Sequence, residues 1–267
     1  MSEEDGTMRQ LGIMMHAVGG LSDEAYVKNI AELGFGATFT GAEKSDARQA
    51  EIGELLAKNG ITYENLHAPF GHINDIWLDT EGGDAMLREL TDCVDRCVAG
   101  GAPMAVVHLS SGMNPPSITD VGRARWETLV NYAVKKGVKI AFENQRMLAN
   151  LAWAMEAFPD QGFCWDCGHE ACFTQGREYM PLFGNRLICT HIHDNSGEFN
   201  ADYHQLPFDG VFDYTRFARQ IQASGYVGSL MLEVMANPRF YGDLTPEAYL
   251  QKAADVAKRL RVMVDGE

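Results

Sequence analysis

PMAVVHL, residues 103–109, is a short apolar run with a histidine, His108, next to its end, and it gives way to the polar Ser110–Ser111–Gly112. It is apolar throughout rather than alternating, as in a strand buried on both faces. The same form recurs in LGIMMH (11–16), GATFT (36–40), ITYENLH (61–67), VKIAFEN (138–144), GFCWD (162–166), LICTHIH (187–193) and SLMLEV (229–234), which makes eight runs. Helical patterns fill the gaps, at 23–34, 42–60, 83–101, 119–137, 150–158, 215–225 and 245–263. The first has Ser22–Asp23 as its cap and Gly34 as its stop. The stretch ACFTQGREYM (171–180) is ambiguous. Eight strand–helix units in 267 residues predict an α/β fold, a (β/α)8 TIM barrel with parallel strands. The alternative, a doubly wound open sheet, needs a switch point and usually fewer strands. No linker or composition shift interrupts the chain. It reads as one domain over 1–267, with residues 1–10 a disordered N-terminal tail.

The chain is 46% hydrophobic, enough for a large core, and has no apolar run long enough to cross a membrane. Its acidic start, MSEEDGTMRQ, lacks the pattern of a signal peptide, so a cytoplasmic location is expected. The six cysteines are then expected to be free thiols. Cys164 and Cys167 form a single C-x-x-C within an expected strand, where residues three apart point to opposite faces. No second pair completes a tetrahedral site. A formal net charge of −15, with no basic cluster longer than Lys135–Lys136, disfavours nucleic acid as a partner.

The ionisable residues collect at the ends of the runs. His16, His67, His108, Glu143, Asp166, His191 and Glu233 each close one, and His169 follows Asp166 by three. In a barrel these ends converge on one rim. A single such histidine is more often a hydrogen-bonded structural residue, but seven together are not explained that way. Carboxylates sharing a pocket repel and protonate. A divalent cation removes that problem and takes neutral imidazoles as ligands. The stretch HIHDNSGEFNADYH (191–204) adds Asp202 and His204 on a loop expected to fold back over the rim. His193 either shares the inward face with His191 or lies past the strand against substrate. Phe70 and Trp77 either line the pocket mouth or pack their loop onto the barrel. His72 reads as a turn residue, and Trp126 and Trp153 as core between helix and sheet.

HAPF (67–70), VVHLS (106–110), ENQR (143–146), DCGH (166–169), HIHDN (191–195) and LEV (232–234), in that order, resemble the xylose isomerase-like barrel superfamily. That group holds sugar phosphate isomerases and epimerases together with endonuclease IV-type repair enzymes, and the resemblance covers roughly 11–234. The epimerase branch implies one divalent metal on Glu143, Asp166, His191 and Glu233. It also implies that Glu143 and Glu233 are the catalytic pair, moving protons through a metal-stabilised enediolate. His169 would orient a substrate oxygen, with Arg146 nearby or in a surface salt bridge. The endonuclease IV branch implies three zincs, on His67, His108 and Glu143; on Asp166, His191 and Glu233; and on His169, Asp202 and His204. In the first branch His67, His108, Asp202 and His204 would contact sugar hydroxyls instead. The common Pro-Gly-x-Gly loop is here Pro207-Phe208-Asp209-Gly210. Phenylalanine is expected to forfeit an easy positive φ and add an aromatic wall.

The resemblance therefore implies a metal-dependent isomerase or epimerase acting on a small sugar or sugar phosphate. The alternative is a multinuclear-zinc phosphoesterase, and a barrel that binds without turnover stays open. The metal is Mn2+, Mg2+, Co2+ or Zn2+, the extra imidazoles tilting toward zinc. A small-molecule sugar is the expected partner, and homo-oligomerisation stays open.

Overall fold

The computed structural model describes residues 8–42 and 45–266. All eight apolar runs become strands: β1 Leu11–Ile13, β2 Ala37–Gly41, β3 Thr62–His67, β4 Met104–His108, β5 Lys139–Glu143, β6 Gly162–Asp166, β7 Leu187–His191 and β8 Leu230–Leu232. Six are shorter than their runs, β6 coincides with its run, and β2 is shifted by one residue. The helices are α1 Asp23–Leu33, α2 Asp46–Lys58, α3 Glu81–Gly100, α4 Asp120–Lys136, α5 Leu148–Ala157, α6 Cys167–Phe173, α7 Met180–Phe183, α8 Tyr214–Ser224, α9 Pro238–Tyr241 and α10 Pro246–Asp265. The ambiguous stretch after β6 resolves into the end of α6, a turn and the start of α7.

Every strand pairing is parallel, in the order β7-β6-β5-β4-β3-β2-β1-β8. The two ends of that order meet where Ile192 bridges Leu232 in parallel, so the sheet closes into the expected barrel. Inside lie two small apolar clusters, Met104, Val106, Ala141, Cys164 and Cys189 in one and Ala37, Phe39 and Met231 in the other. The larger apolar cluster lies between barrel and helices, where Trp77, Trp126 and Trp165 are fully buried. No described helix is long and apolar enough to cross a membrane.

Local signals explain the helix ends. Ser22 caps α1 by accepting from the Ala25 N–H, and Gly34, at φ 93°, lets its N–H return to the last turn. Residues 1–7 lie outside the described residues, but the Arg9 N–H donates to Asp265 at 2.7 Å, and Gln10 accepts from the Leu230 N–H at 2.9 Å. These bonds tie Arg9 and Gln10 to α10 and the start of β8.

Helices α2 and α3 pack at a close backbone crossing. A Cβ on Gly53 would stand 2.2 Å from the Gly100 carbonyl oxygen, an atom that cannot swing aside. Gly53→Ala is expected to cost about 1–3 kcal/mol, read as a lower denaturation midpoint at unchanged m-value. An unshifted midpoint would mean the two helices slide apart freely.

Candidate metal centre

Strand register builds the site. His108 lies beside Glu143 in the β4–β5 pair, and Asp166 beside His191 in the β6–β7 pair. Neighbours in parallel register point to the same side of the sheet, here inward. Asp166 also caps α6, accepting from the His169 N–H at 2.5 Å, so the first helical turn carries His169 back over the same rim. The Asn144 side chain clamps this corner, with bonds of 2.8 Å to both the N–H and the carbonyl of Asp166.

The loop after β7 answers to Asp194. Its backbone pairs antiparallel with Gln205, at 2.8 and 2.9 Å, and this folds 195–204 into a flap. Its carboxylate accepts from the N–H groups of Asn195, Phe208 and Phe212. Asp202 and His204 thereby return over the rim, as expected. His204 sits at φ 48°, a left-handed conformation that is uncommon without glycine.

The convergence is dense. Glu143 Oε2 lies 3.1 Å from His67 Nε2, 3.2 Å from His108 Nε2 and 3.5 Å from His191 Nδ1. Glu143 Oε1 lies 2.9 Å from His169 Nδ1, and Glu233 Oε2 lies 3.1 Å from His191 Nδ1. Ligand atoms of Glu143, Asp166, His191 and Glu233 all fall within 4.8 Å of one another. The same limit encloses His67, His108 and Glu143, and also His169, His193, Asp202 and His204. His193 does share the inward face, its Nε2 3.0 Å from Asp166.

This donor set fits a cation. Glu143 Oε1, His191 Nδ1, Asp202 Oδ1 and Glu233 Oε2 are buried without a hydrogen-bond partner although other polar atoms lie close. Two imidazoles have their tautomers set from outside. His67 Nδ1–H donates to the Ala68 carbonyl and His204 Nδ1–H to the Glu233 carbonyl, both at 2.9 Å. Each Nε2 then faces inward with a lone pair available to a metal.

Charge balance without a cation falls to the histidines. Burial pushes Glu143 upward, but His108, His169 and His191 outweigh it and hold its pKa well below the ordinary carboxylate range. Glu233 is lowered against burial by His191 and His204. Burial favours neutral imidazoles, yet Glu233 raises His191, Asp166 with Asp202 raises His169, and Asp202 raises His204 to about 9. For His108 burial wins, and its pKa falls.

A pH dependence follows for the metal-free protein. The folded pKa of His204 lies above its ordinary 6.5, so its stabilisation is complete below pH 6.5 and disappears as pH rises through about 9. Asp202 is depressed below 3.8, so its share is lost only on acidification. The chelated protein is expected to lose on the order of 5 °C in Tm between pH 6.5 and 9.5. Asn tolerates a left-handed φ, so His204→Asn should fold and flatten that slope. An unchanged slope in the variant would remove His204 as its origin.

Some other expectations need correction, and some alternatives left open are decided. His16 does not reach the rim. Strand β1 ends before it, and its ring is exposed at φ 65°, 2.7 Å from Asp23. Trp77 is fully buried, donating to the Leu109 carbonyl at 2.7 Å and packed on Trp126 and Trp153, so it does not line the pocket; Phe70 does. Cys167 lies at the start of α6 rather than in a strand. Phe208 keeps a positive φ of 72° despite its side chain, and its ring packs on Tyr214 and under Arg259 instead of walling the pocket. Arg146 forms no surface salt bridge with a described residue. It stacks on Phe173 and donates to Asn200 at 3.0 Å. Gln145, not singled out beforehand, has its amide nitrogen 3.1 Å from His108 Nε2 and 2.9 Å from His169 Nδ1. Its only sequence signal was polarity directly after a strand-end glutamate. Above the cluster opens a cavity of about 610 Å³, walled by Phe39, Phe70, Arg146, Phe173 and Met235 with the site histidines.

A barrel of this topology, with a carboxylate–imidazole cluster at the C-terminal ends of its strands, is an enzyme-type architecture. The Xylose isomerase-like TIM barrel family matches residues 27–260, and the chain belongs to that family. The protein y4fM of Sinorhizobium fredii is 32% identical over 191 residues, a match spanning 66% of this chain and 60% of that protein. Among solved structures, a xylose isomerase domain protein from Alicyclobacillus acidocaldarius is similar at TM-score 0.75 and 21% identity, covering 97% of this chain and all of that one. D-psicose 3-epimerase from Clostridium cellulolyticum H10, solved with D-tagatose, is similar at TM-score 0.77 and 15% identity, covering 96% and 99%. Identities this low establish a shared fold.

Proposed function

We propose that the chain is a divalent-metal-dependent isomerase or epimerase of a small carbohydrate, with Glu143 and Glu233 as its proton-transferring pair. The observation that carries this reading is the approach of Glu143, Asp166, His191 and Glu233 to within 4.8 Å of one another at the barrel mouth. These four would hold the cation, which when bound supplies positive charge to oxygens that become anionic as a proton leaves the adjacent carbon. Glu143 and Glu233 face the same small volume from strands β5 and β8. One accepts the proton and the other returns one to the opposite face. His108, kept neutral by burial, and His169 line the cavity where hydroxyls of a sugar would lie. The similarity in fold to a D-psicose 3-epimerase supports the same class of chemistry.

The test is proton exchange. Incubated with a panel of ketoses and ketose phosphates in D2O, the metal-loaded protein is expected to place deuterium on the carbon beside the carbonyl. A second reading, a multinuclear phosphoesterase, draws on the two flanking ligand groups around His67 and His204. Two or three metals per chain as purified, phosphodiester cleavage and no exchange with any ketose would replace the first reading with the second.

A further inference from the structure

Beside the cavity above the cluster lies a second one of about 400 Å³, and the two share Arg146 and Phe173 in their walls. The second cavity also has Arg177 on its wall and no carboxylate. That is unusual surface for a chain with 37 acidic and 22 basic residues. Arg146 is held rigidly. Its guanidinium lies 3.5 Å from the Phe173 ring centroid, and Phe173 in turn stacks on His169 at 4.7 Å. The Asn200 amide oxygen takes Nε–H at 3.0 Å and one Nη2–H at 2.5 Å, which leaves Nη1 uncommitted. Arg177 Nη1 donates to the Arg146 backbone carbonyl at 3.1 Å, and both residues line the same cavity. Neither arginine forms an ion pair with a described residue. Asp202 acts on Arg146 only through space, and it is paired with His169 and His204. Two guanidiniums on one cavity wall without an ion-paired carboxylate match a dianion, whereas one bidentate arginine satisfies a carboxylate.

We propose that Arg146 and Arg177 form a phosphate subsite, so that the substrate is a phosphorylated sugar with its reacting end at the metal centre and its phosphate in the second cavity. The inference rests on the carbohydrate reading above and narrows it to phosphomonoesters. The column from Arg146 through Phe173 to His169 sets the phosphate and the reacting carbons at a fixed separation, which makes it a device for selecting chain length.

Isothermal titration of the chelated protein with D-ribulose 5-phosphate, and with D-ribulose, tests the subsite apart from catalysis. The phosphorylated probe is expected to bind at least about tenfold more tightly. The preference should fall to within about threefold in Arg146→Gln/Arg177→Gln, where one side chain is half-buried and the other exposed, with circular dichroism and metal content unchanged. Equal affinity for the two probes overturns the subsite, as does a preference that survives the double substitution. A carboxylate-ended sugar acid that binds as tightly overturns the assignment to phosphate. Equal affinity in the unsubstituted protein, with deuterium exchange on neutral ketoses intact, removes this inference alone. An arginine-dependent preference without exchange on any sugar removes the isomerase reading and leaves the subsite standing.

Discussion

Glu143→Gln and Glu233→Gln are each expected to lower kcat by about 10³-fold or more, since a positioned acid or base contributes about 10² to 10⁴ and each change also weakens a metal ligand. Glutamine keeps the volume of the side chain and removes its charge and its proton. Both residues are buried, with Glu143 1% and Glu233 7% exposed, so an amide fills the same space. The two variants differ in their secondary losses. Glu143 stands between four histidines, so its removal leaves imidazoliums without a counter-charge, and metal affinity should fall with it. Glu233 contacts fewer partners and should retain more metal. Steady-state rates, metal content and thermal melts of the two variants together separate a lost proton carrier from a lost ion or a lost fold. A variant that folds, holds metal and turns over within tenfold of the parent would strip that glutamate of its role.

Most of the barrel was legible because a strand covered on both faces needs a continuous apolar run, and the chain writes eight of them. Most of the rim was legible for a related reason. Where an apolar run ends in Glu143, Asp166 or His191, burial of a polar group has to be compensated, and compensation implies neighbours. The spacing in DCGH was informative because an N-cap and its third following residue share one turn. What escaped depends on contacts distant in sequence. His16 looks like the other strand-end histidines, but β1 ends early and a left-handed turn sends the ring toward Asp23. Trp77 reads equally well as a pocket wall or as core, and the choice rests on the Leu109 carbonyl that takes its indole N–H. Phe208 shows that composition does not dictate backbone conformation. The Asp194 carboxylate holds the Phe208 N–H at 3.2 Å, and Tyr214 and Arg259 cover the ring. These contacts offset a strain on the order of 1–3 kcal/mol. Gln145 became recognisable only once His108 and His169 were seen to converge on it.

Chelation is expected to abolish turnover and to lower the melting temperature by about 10 °C, a shift that corresponds to an ion held at about a thousandfold excess over its Kd. The stabilising effect arises because the ligand atoms of Glu143, Asp166, His191 and Glu233 are gathered only in the folded chain. Reloading should release protons. Without a cation, Glu233 keeps His191 protonated well above the ordinary histidine range, and Asp202 holds His204 up to about 9. A metal takes imidazole only in its neutral form, so each such histidine that becomes a ligand at pH 7 gives up a proton. Titration calorimetry in buffers of different ionisation enthalpy counts those protons. One metal on the central four displaces the His191 proton. A second on the flap displaces those of His169 and His204 as well. The proton count at saturation therefore distinguishes a single ion from a multinuclear cluster without reference to any substrate. A chelated protein that keeps its rate within twofold, or reloading that releases no protons, would mean that these side chains pair with one another and hold no ion.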